Sequence, residues 1–275
     1  MIIIGAGLAG LLTANLLRYR HPTVLEKQPS LPNNHSAVLR FRSRIVSDVT
    51  GIPFKKVQVL KSSLPWLNPV ADALAYAEKN TSELRSDRSI PVQMTSVERY
   101  IAPPDLINQL ADGDISIHCG AKPEELELAI SRGAKIISTI PMPALMELIQ
   151  YPHATSFPSV SGCNIIAKVS NCDAYASLYV PDPYYPFSRI SLTGNEMIVE
   201  IPKTTDIRSH HDWLFEAARL LGIDPCRLSD IDLRPQAYAK ILPIDEGERT
   251  RFIVWATDKF NIYSLGRYAC WRPGL

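Results

Sequence analysis

The sequence predicts an α/β fold in which an α/β unit, assembled from both ends of the chain, is interleaved with a β-rich middle. Three observations predict it. The chain opens on a short apolar, β-branched run at residues 1–4 that stops at Gly5, is followed by helix-compatible residues from about 8 to 19, and reaches a second strand-like run, "TVLE", ending on Glu26. Between about 163 and 202, the runs "CNIIAKVS", "AYASLYV", "FSRISLT" and "EMIVEIP" are separated by Pro, Asp, Gly and Asn and read as antiparallel strands. Helix-then-strand grammar appears again before and after that middle, and 275 residues suffice for one large core or two modest ones.

The remaining elements follow in order. "KQPSLPNNHS" is a turn-rich break, and "AVLRFRSR" after it places Arg40, Arg42 and Arg44 on one face of an expected strand. Asn68 as N-cap and Pro69 at the first helical position open a helix with Val70, Ala73, Leu74 and Ala77 on its apolar face. "PPDLINQLADGDISIHCG" reads as a short helix and a strand at 115–118. "AKPEELELAISRGAKIISTIP" repeats the pattern: Pro123 starts a helix, Gly133 closes it, and 135–140 form a buried strand. A helix over 210–221 carries Trp213, Leu214, Ala217, Ala218 and Leu221 on one face and stops at Gly222. "RFIVWAT" and "NIYSLG" read as a final strand pair. The expected division is 1–45, 101–150 and 246–275 for the first unit, and 46–100 and 151–245 for the second.

The junction after the first strand reads Gly5-Ala6-Gly7-Leu8-Ala9-Gly10, a G-x-G-x-x-G spacing. Alone that spacing says little. Here it ends a strand, opens a helix and is followed by an acidic residue closing the next strand, the context of a Rossmann-like dinucleotide site. Gly5 permits the tight turn, Gly7 lets a pyrophosphate approach the backbone, and Gly10 lets helix and sheet pack closely. The helix start offers free N–H groups and partial positive charge to phosphate. Glu26, with Lys27 beside it, is placed to accept from ribose hydroxyls and would repel a 2′-phosphate. FAD and NAD both fit the loop; its position at the chain start, with a second cofactor-like segment near the far end, favours FAD.

That second segment, "NIYSLGRYACWRPGL", together with "DPYYPFSRIS" and "IISTIP", resembles the flavoprotein group of UDP-galactopyranose mutase and the protoporphyrinogen and amine oxidases. The resemblance implies an FAD-binding domain interleaved with a β-rich substrate domain. It implies that Gly266 approaches the flavin, and that Arg189 and Arg267 are cations near the flavin and a substrate diphosphate. Guanidinium groups suit this because they grip oxyanions bidentately and stay charged. Three departures stand out. "PNNHSAVLR" replaces the family's Gly-Gly pair, Pro273 stands where a tyrosine is expected, and the sequence stops at Leu275 before a helix that faces the flavin. They imply either a truncated chain or a reduced relative.

Other residues complete the expected site. His35 falls where the family's loop lies against the flavin, as a catalytic candidate beside Arg189 and Arg267. Arg42 is placed to reach the FAD phosphates or an anionic substrate, and Thr139 passes the cofactor at a strand end. Tyr184, Tyr185, Tyr238 and Trp271 are candidates to line a substrate pocket.

Composition narrows the classes. A net charge of +1 gives no general footprint for nucleic acid. No apolar run is long enough for a membrane span, and no positive residue precedes the apolar start, as a secretory signal would require. Five scattered cysteines without a C-x-x-C pair suggest reduced cytoplasmic thiols, and the six histidines lack metal spacing. There is no G-x-S-x-G and no nucleophile–base pair, so in an enzyme the cofactor would carry the chemistry. The leading expectation is an FAD-dependent oxidoreductase acting on a small or nucleotide-linked substrate. A mutase-like sugar isomerase and a non-catalytic binding protein on the same fold stay open beside it.

Overall fold

The computed structural model describes residues 1–31, 39–82, 90–113, 115–203 and 210–273. The expected β-α-β start is present: β1 (Ile2–Ile4), α1 (Leu8–Leu16) and β2 (Thr23–Glu26). β2 lies parallel to β1, with Ile3 opposite Val24. Three further short strands, at Ser116–Cys119, Ile136–Ser138 and Ile262–Ser264, complete a five-stranded parallel sheet. Its order is 262–264, 136–138, β1, β2, 116–119.

Such a sheet must be covered on both faces, and the alternation of β1 shows how. Ile3 packs into a cluster with Leu11 and Ala14 of α1 and with Leu106 and Leu110 of a helix at Leu106–Ala111. Ile4 points the other way, into a cluster with Leu126, Leu145, Phe252 and Trp271. Three helices supply that second layer: Pro123–Ser131, Met142–Leu148 and Glu246–Phe260.

The third of these helices corrects an expectation. "RFIVWAT" lies inside Glu246–Phe260 and is not a strand. A short apolar run does not distinguish strand from buried helix, and the flanks decide. Asp245 Oδ1 accepts from the Glu248 N–H at 2.9 Å, and Glu246 and Glu248 occupy the positive first turn. Asn261 then ends the helix in the left-handed region at φ 56°. Arg249, Phe252 and Ala256 form the buried stripe, a helical and not a two-residue spacing.

The β-rich middle is an eight-stranded mixed sheet. In chain order its strands are β3 (Arg40–Phe41), β4 (Lys55–Ser63), β5 (Thr95–Ile101), then, after the 116–119 and 136–138 strands β6 and β7, β8 (Ser159–Val169), β9 (Ala174–Tyr179), β10 (Arg189–Gly194), β11 (Glu196–Pro202) and β12 (Leu228–Ile241). Their spatial order is β12-β8-β11-β10-β9-β4-β5-β3. The four antiparallel strands expected from the sequence are β8 to β11. They are extended by β12 on one side and by β4, parallel to β9, on the other. One face is a core: Ile190, Leu192, Val199 and Ile201 pack with Leu214, Ala217 and Ala218 of the helix at His210–Leu220.

The basic stretch also departs from expectation. β3 is only two residues long, and Arg44 is the N-cap of a short helix at Ile45–Thr50, paired with Asp48 at 2.8 Å. Arg40, Arg42 and Arg44 therefore do not share one strand face, because the helix start takes Arg44 out of the pleat. The helix at Pro69–Thr81 begins as expected, Asn68 Oδ1 accepting from the N–H groups of Val70 (3.1 Å) and Ala71 (3.0 Å). Its buried face is Asp72, Tyr76, Ala77, Asn80 and Thr81, whereas Val70 is exposed. Asp72 turns inward because its carboxylate accepts from the N–H groups of Trp66 and Leu67, which fixes the chain's entry into the helix.

Candidate functional site

The glycine loop sits at the carboxyl end of β1, where open α/β sheets bind ligands. Its three glycines are there for three different reasons. Gly5 has φ +95°, and a Cβ on it would lie 2.9 Å from Thr139 Oγ1. On Gly10 a Cβ would lie 1.9 Å from the Gly5 carbonyl oxygen, so the helix touches the strand's own backbone there. At Gly7 a Cβ would meet nothing within 4 Å. Gly7 is the N-cap of α1, and the first four N–H groups of a helix have no intrahelical acceptor. The space beside Gly7 is therefore open and lies against N–H donors of the Gly7-Leu8-Ala9 turn.

Thr139, just past the 136–138 strand, donates its hydroxyl to the carbonyls of Ile4 (2.9 Å) and Gly5 (3.2 Å), which clamps the turn. Glu26 is buried at the end of β2 and braces the loop from the other side. Its Oε2 accepts from the Ala6 N–H at 2.7 Å and its Oε1 from the Gln28 N–H at 2.9 Å. Lys27 beside it is exposed.

The carboxy-terminal motif comes to the same place. Gly266, at φ +99°, is so close to α1 that a Cβ on it would lie 3.2 Å from the Cβ of Ala9. Gly7 and Gly266, 259 positions apart by subtraction, thus flank one region. Arg267 follows, its guanidinium 5.3 Å from the centre of the Tyr268 ring. The Arg267 Nε is buried with no hydrogen-bond partner, and so are the hydroxyls of Ser138 and Ser264, which pair in register at the ends of β7 and the 262–264 strand, β13. Buried polar atoms are almost always satisfied in folded proteins, so these three orphans around one sheet end are groups open to a polar partner.

Arg189 lies on the other sheet. Its Nε donates to Glu200 Oε1 at 2.9 Å and its Nη2 makes a second bond to the same oxygen; Lys240 approaches Glu200 Oε2 at 3.5 Å. The Glu200 charge raises the Arg189 guanidinium above its ordinary range. Burial pushes the Glu200 carboxyl up, but Arg189 and Lys240 outweigh it and bring it down to about 2. Arg189 lines a cavity of about 320 Å³ on the face of the eight-stranded sheet opposite the core packed by the His210–Leu220 helix. Arg42, expected at the cofactor, lines this cavity too. Lys61, Arg99 and Glu200 join them there, and no sequence motif singled these out.

The four aromatic candidates are not brought together. Tyr184 is exposed, with Tyr185 at 5.1 Å between ring centres, near the His210–Leu220 helix. Tyr238 packs instead on Trp271 at 5.6 Å, and Trp271, 1% exposed, is core whose Nε1 donates to the Leu242 carbonyl. His35 lies outside the described residues. Among the described residues no three His, Cys, Asp or Glu side chains form a metal-binding group, and no helix is long and apolar enough to cross a membrane.

This pairing of a glycine-loop parallel sheet with a large mixed sheet is the two-domain fold of FAD-dependent flavoproteins. Among solved structures, reduced UDP-galactopyranose mutase is similar to it with a TM-score of 0.63 at 12% identity, over 98% of this chain and 89% of that one. The 2-methyl-3-hydroxypyridine-5-carboxylic acid oxygenase matches at 0.54 and 11% (98% and 78% covered), and L-proline dehydrogenase from P. horikoshii at 0.51 and 13% (96% and 86%). No family model matches the sequence, and no curated protein matches it. The likeness is one of fold.

Proposed function

We propose that the protein is an FAD-dependent oxidoreductase acting on a small or nucleotide-linked substrate held between the two sheets. The observation carrying this reading is the convergence of the open N–H turn at Gly7, the close approach of Gly266 to Ala9, and the orphaned Nε of Arg267. Gly5 to Gly10, Glu26, Lys27 and Thr139 would hold the adenosine diphosphate half of FAD, and Gly266 and Arg267 the ring end. FAD supplies a two-electron acceptor for a hydride. The chain's own contribution is to bind, orient and exclude water, since no protein nucleophile–base pair is apparent among the described residues. In this reading segments 1–45, 101–150 and 246–275 carry the cofactor, and 46–100 and 151–245 carry the substrate. Packing crosses these bounds: β3 joins the substrate sheet, and Ile52, Tyr151, Phe157, Tyr238 and Ile241 pack into the cores of the first sheet.

Purified protein reconstituted with FAD is expected to show bound-flavin absorbance that bleaches with dithionite and keeps a 1:1 ratio through gel filtration. A colourless protein that retains no FAD would overturn the proposal.

A second reading, flavin-dependent sugar isomerisation without net redox change, is favoured by the 0.63 TM-score to the mutase over 98% of the chain. Incubating the reduced protein with UDP-galactopyranose separates the two, because the furanose appears only under the second.

A further inference from the structure

The face of the eight-stranded sheet opposite the core packed by the His210–Leu220 helix carries charged residues beside a small apolar cluster of Val57, Val59 and Ile101. The pleat explains this, since alternate residues of each strand go to opposite faces. On β10, Ile190 and Leu192 are core while Arg189 and Ser191 line the cavity; on β11, Val199 and Ile201 are core while Ile198 and Glu200 line it. Register brings distant segments together: Lys61 lies opposite Ser177, and Arg189 between Tyr179 and Glu200.

Among the described residues five cations, Arg40, Arg42, Lys61, Arg99 and Arg189, line this cavity of about 320 Å³ with a single carboxylate, Glu200. That carboxylate is already engaged by Arg189 and Lys240. Among the described residues the other four cations have no such partner. Arg40 Nη1 donates weakly to the Ala176 carbonyl at 3.4 Å, and Arg99 Nη1 donates to the carbonyl of its neighbour Glu98. Among the described residues no carboxylate stands within ion-pair distance of Arg40, Arg42, Lys61 or Arg99. The Glu98 side chain leaves on the opposite face, to Lys56 and Tyr100.

The cluster is under electrostatic load. Burial, and after it the Arg189 charge, pushes Arg40 down to about 10; burial also lowers Lys61, with Arg99, Arg189 and Arg42 adding to it. A structural basic cluster would bring its own counter-charges, as Arg189 does. Four like charges gathered in a concave site where, among the described residues, Glu200 alone offsets them call for an anion from outside.

We propose that this cavity is the receptor for the substrate's anionic group: a multiply charged oxyanion, phosphate or carboxylate in chemistry, gripped by Arg40, Arg42, Lys61 and Arg99. Arg189, paired with Glu200, is a positioning residue that holds the wall of the site. The assignment rests on the flavoenzyme reading for the word substrate, but the receptor stands on its own charges. Phosphate could reach such a site from a substrate or from the pyrophosphate of FAD. The structure favours a substrate. The N–H donors suited to the cofactor's phosphates are on α1, on the other sheet, and Leu39 at the cavity rim packs into the cluster that contains Ala6. The cavity thus adjoins the cofactor loop without being part of it.

The test is calorimetric titration of inorganic pyrophosphate into the FAD-loaded protein and, in parallel, the flavin-free protein. Both should bind at one site, with affinity falling as salt rises. Arg42→Ala and Arg99→Ala should each weaken binding roughly 10- to 100-fold, the loss of one charge-assisted contact. Their thermal midpoints without pyrophosphate should be unchanged or higher, because a repelling charge has been removed; a structural role would lower them. Exposed Arg132→Ala should bind as wild type does. Three results would overturn the receptor: no binding to the loaded protein, binding only before FAD is added, or unchanged affinity in both variants. A protein that takes up no FAD sinks the flavin reading alone, and the flavin-free titration with its variants still decides the receptor.

Discussion

Gly10→Ala should lose much of its fold stability, while Gly7→Ala should keep its fold and lose its cofactor. The two glycines are three residues apart in one motif, yet the space around them is opposite in kind. A methyl on Gly10 would sit 1.9 Å from the Gly5 carbonyl oxygen, with the Gly5 carbonyl carbon at 3.0 Å and Thr139 Oγ1 also at 3.0 Å. No rotamer relieves a collision with backbone, so α1 must move off β1 and the contacts of Leu11 and Ala14 with Ile3 loosen with it. Overpacking of this kind costs about 3 kcal/mol, and a chain of this size then melts roughly 6–12 °C lower. A methyl on Gly7 meets nothing within 4 Å, and the Gly7 φ of −71° suits any residue. Its cost at an N-cap is under about 1 kcal/mol, so the melting curve should barely move. The methyl would instead occupy the space beside the free N–H groups and weaken FAD roughly tenfold or more by denying the pyrophosphate its approach. Thermal melts and flavin fluorescence titrations of the two variants check both halves. Unchanged FAD affinity in Gly7→Ala would remove the phosphates from α1.

The same contrast shows what the sequence could reveal. The β-α-β start was legible because its signals are local: a β-branched run, glycines at fixed offsets, and an acid ending the next strand. The strands β8 to β11 were legible too, since their turn residues punctuate them. "RFIVWAT" was misread because its deciding features, the Asp245 cap and the left-handed Asn261, lie outside the run itself. β4 and β5 were missed for a related reason. "KKVQVLKSS" and "TSVERYI" put charged residues on the face that looks into the cavity as well as on the solvent face, so apolar alternation is broken where the site is.

The site divides likewise. Gly7, Glu26, Gly266 and Arg267 were found from motifs, whereas Lys61, Arg99 and Glu200 carry none. Glu200 meets Arg189 across the β10–β11 hairpin, but Lys61 and Arg99 reach them only through β4 laid parallel beside β9. Pairing between strands more than a hundred residues apart leaves no mark on either segment. Trp271 shows the converse. An aromatic near a cofactor-like motif suggests a pocket wall, but its indole N–H bonded to the Leu242 carbonyl makes it a buried brace.

Glu200→Gln is the change expected to move stability and anion affinity in opposite directions. Among the described residues Glu200 is the only carboxylate lining the cavity; it faces Arg189 and Lys240 directly and lies near Arg40. Neutralising it leaves two cations facing a neutral amide, and loss of one partner of a largely buried pair costs about 3 kcal/mol or more. The pH dependence carries the same information. The folded carboxyl is held at about 2, against about 4.3 for an unfolded glutamate. The unfolded chain therefore binds the proton first as pH falls, and stability that is complete above about pH 4.3 drains away down to the folded value. The loss is about 3 kcal/mol, from the pKa difference at about 1.4 kcal/mol per unit. Glu246 is also lowered to about 2 by its hydrogen bond to Arg249, but it is exposed and adds little to this limb. Urea unfolding of wild type between pH 6 and 2.5 should show the acid loss, and Glu200→Gln should be less stable at pH 6 with that loss largely gone. In the same variant Arg189 is released and the cavity gains net positive charge, so pyrophosphate should bind several-fold more tightly. If Glu200→Gln weakens pyrophosphate binding as much as it weakens the fold, the carboxylate is organising the receptor cations. Its role would then extend beyond neutralising Arg189, and the division between gripping and positioning residues would have to be redrawn.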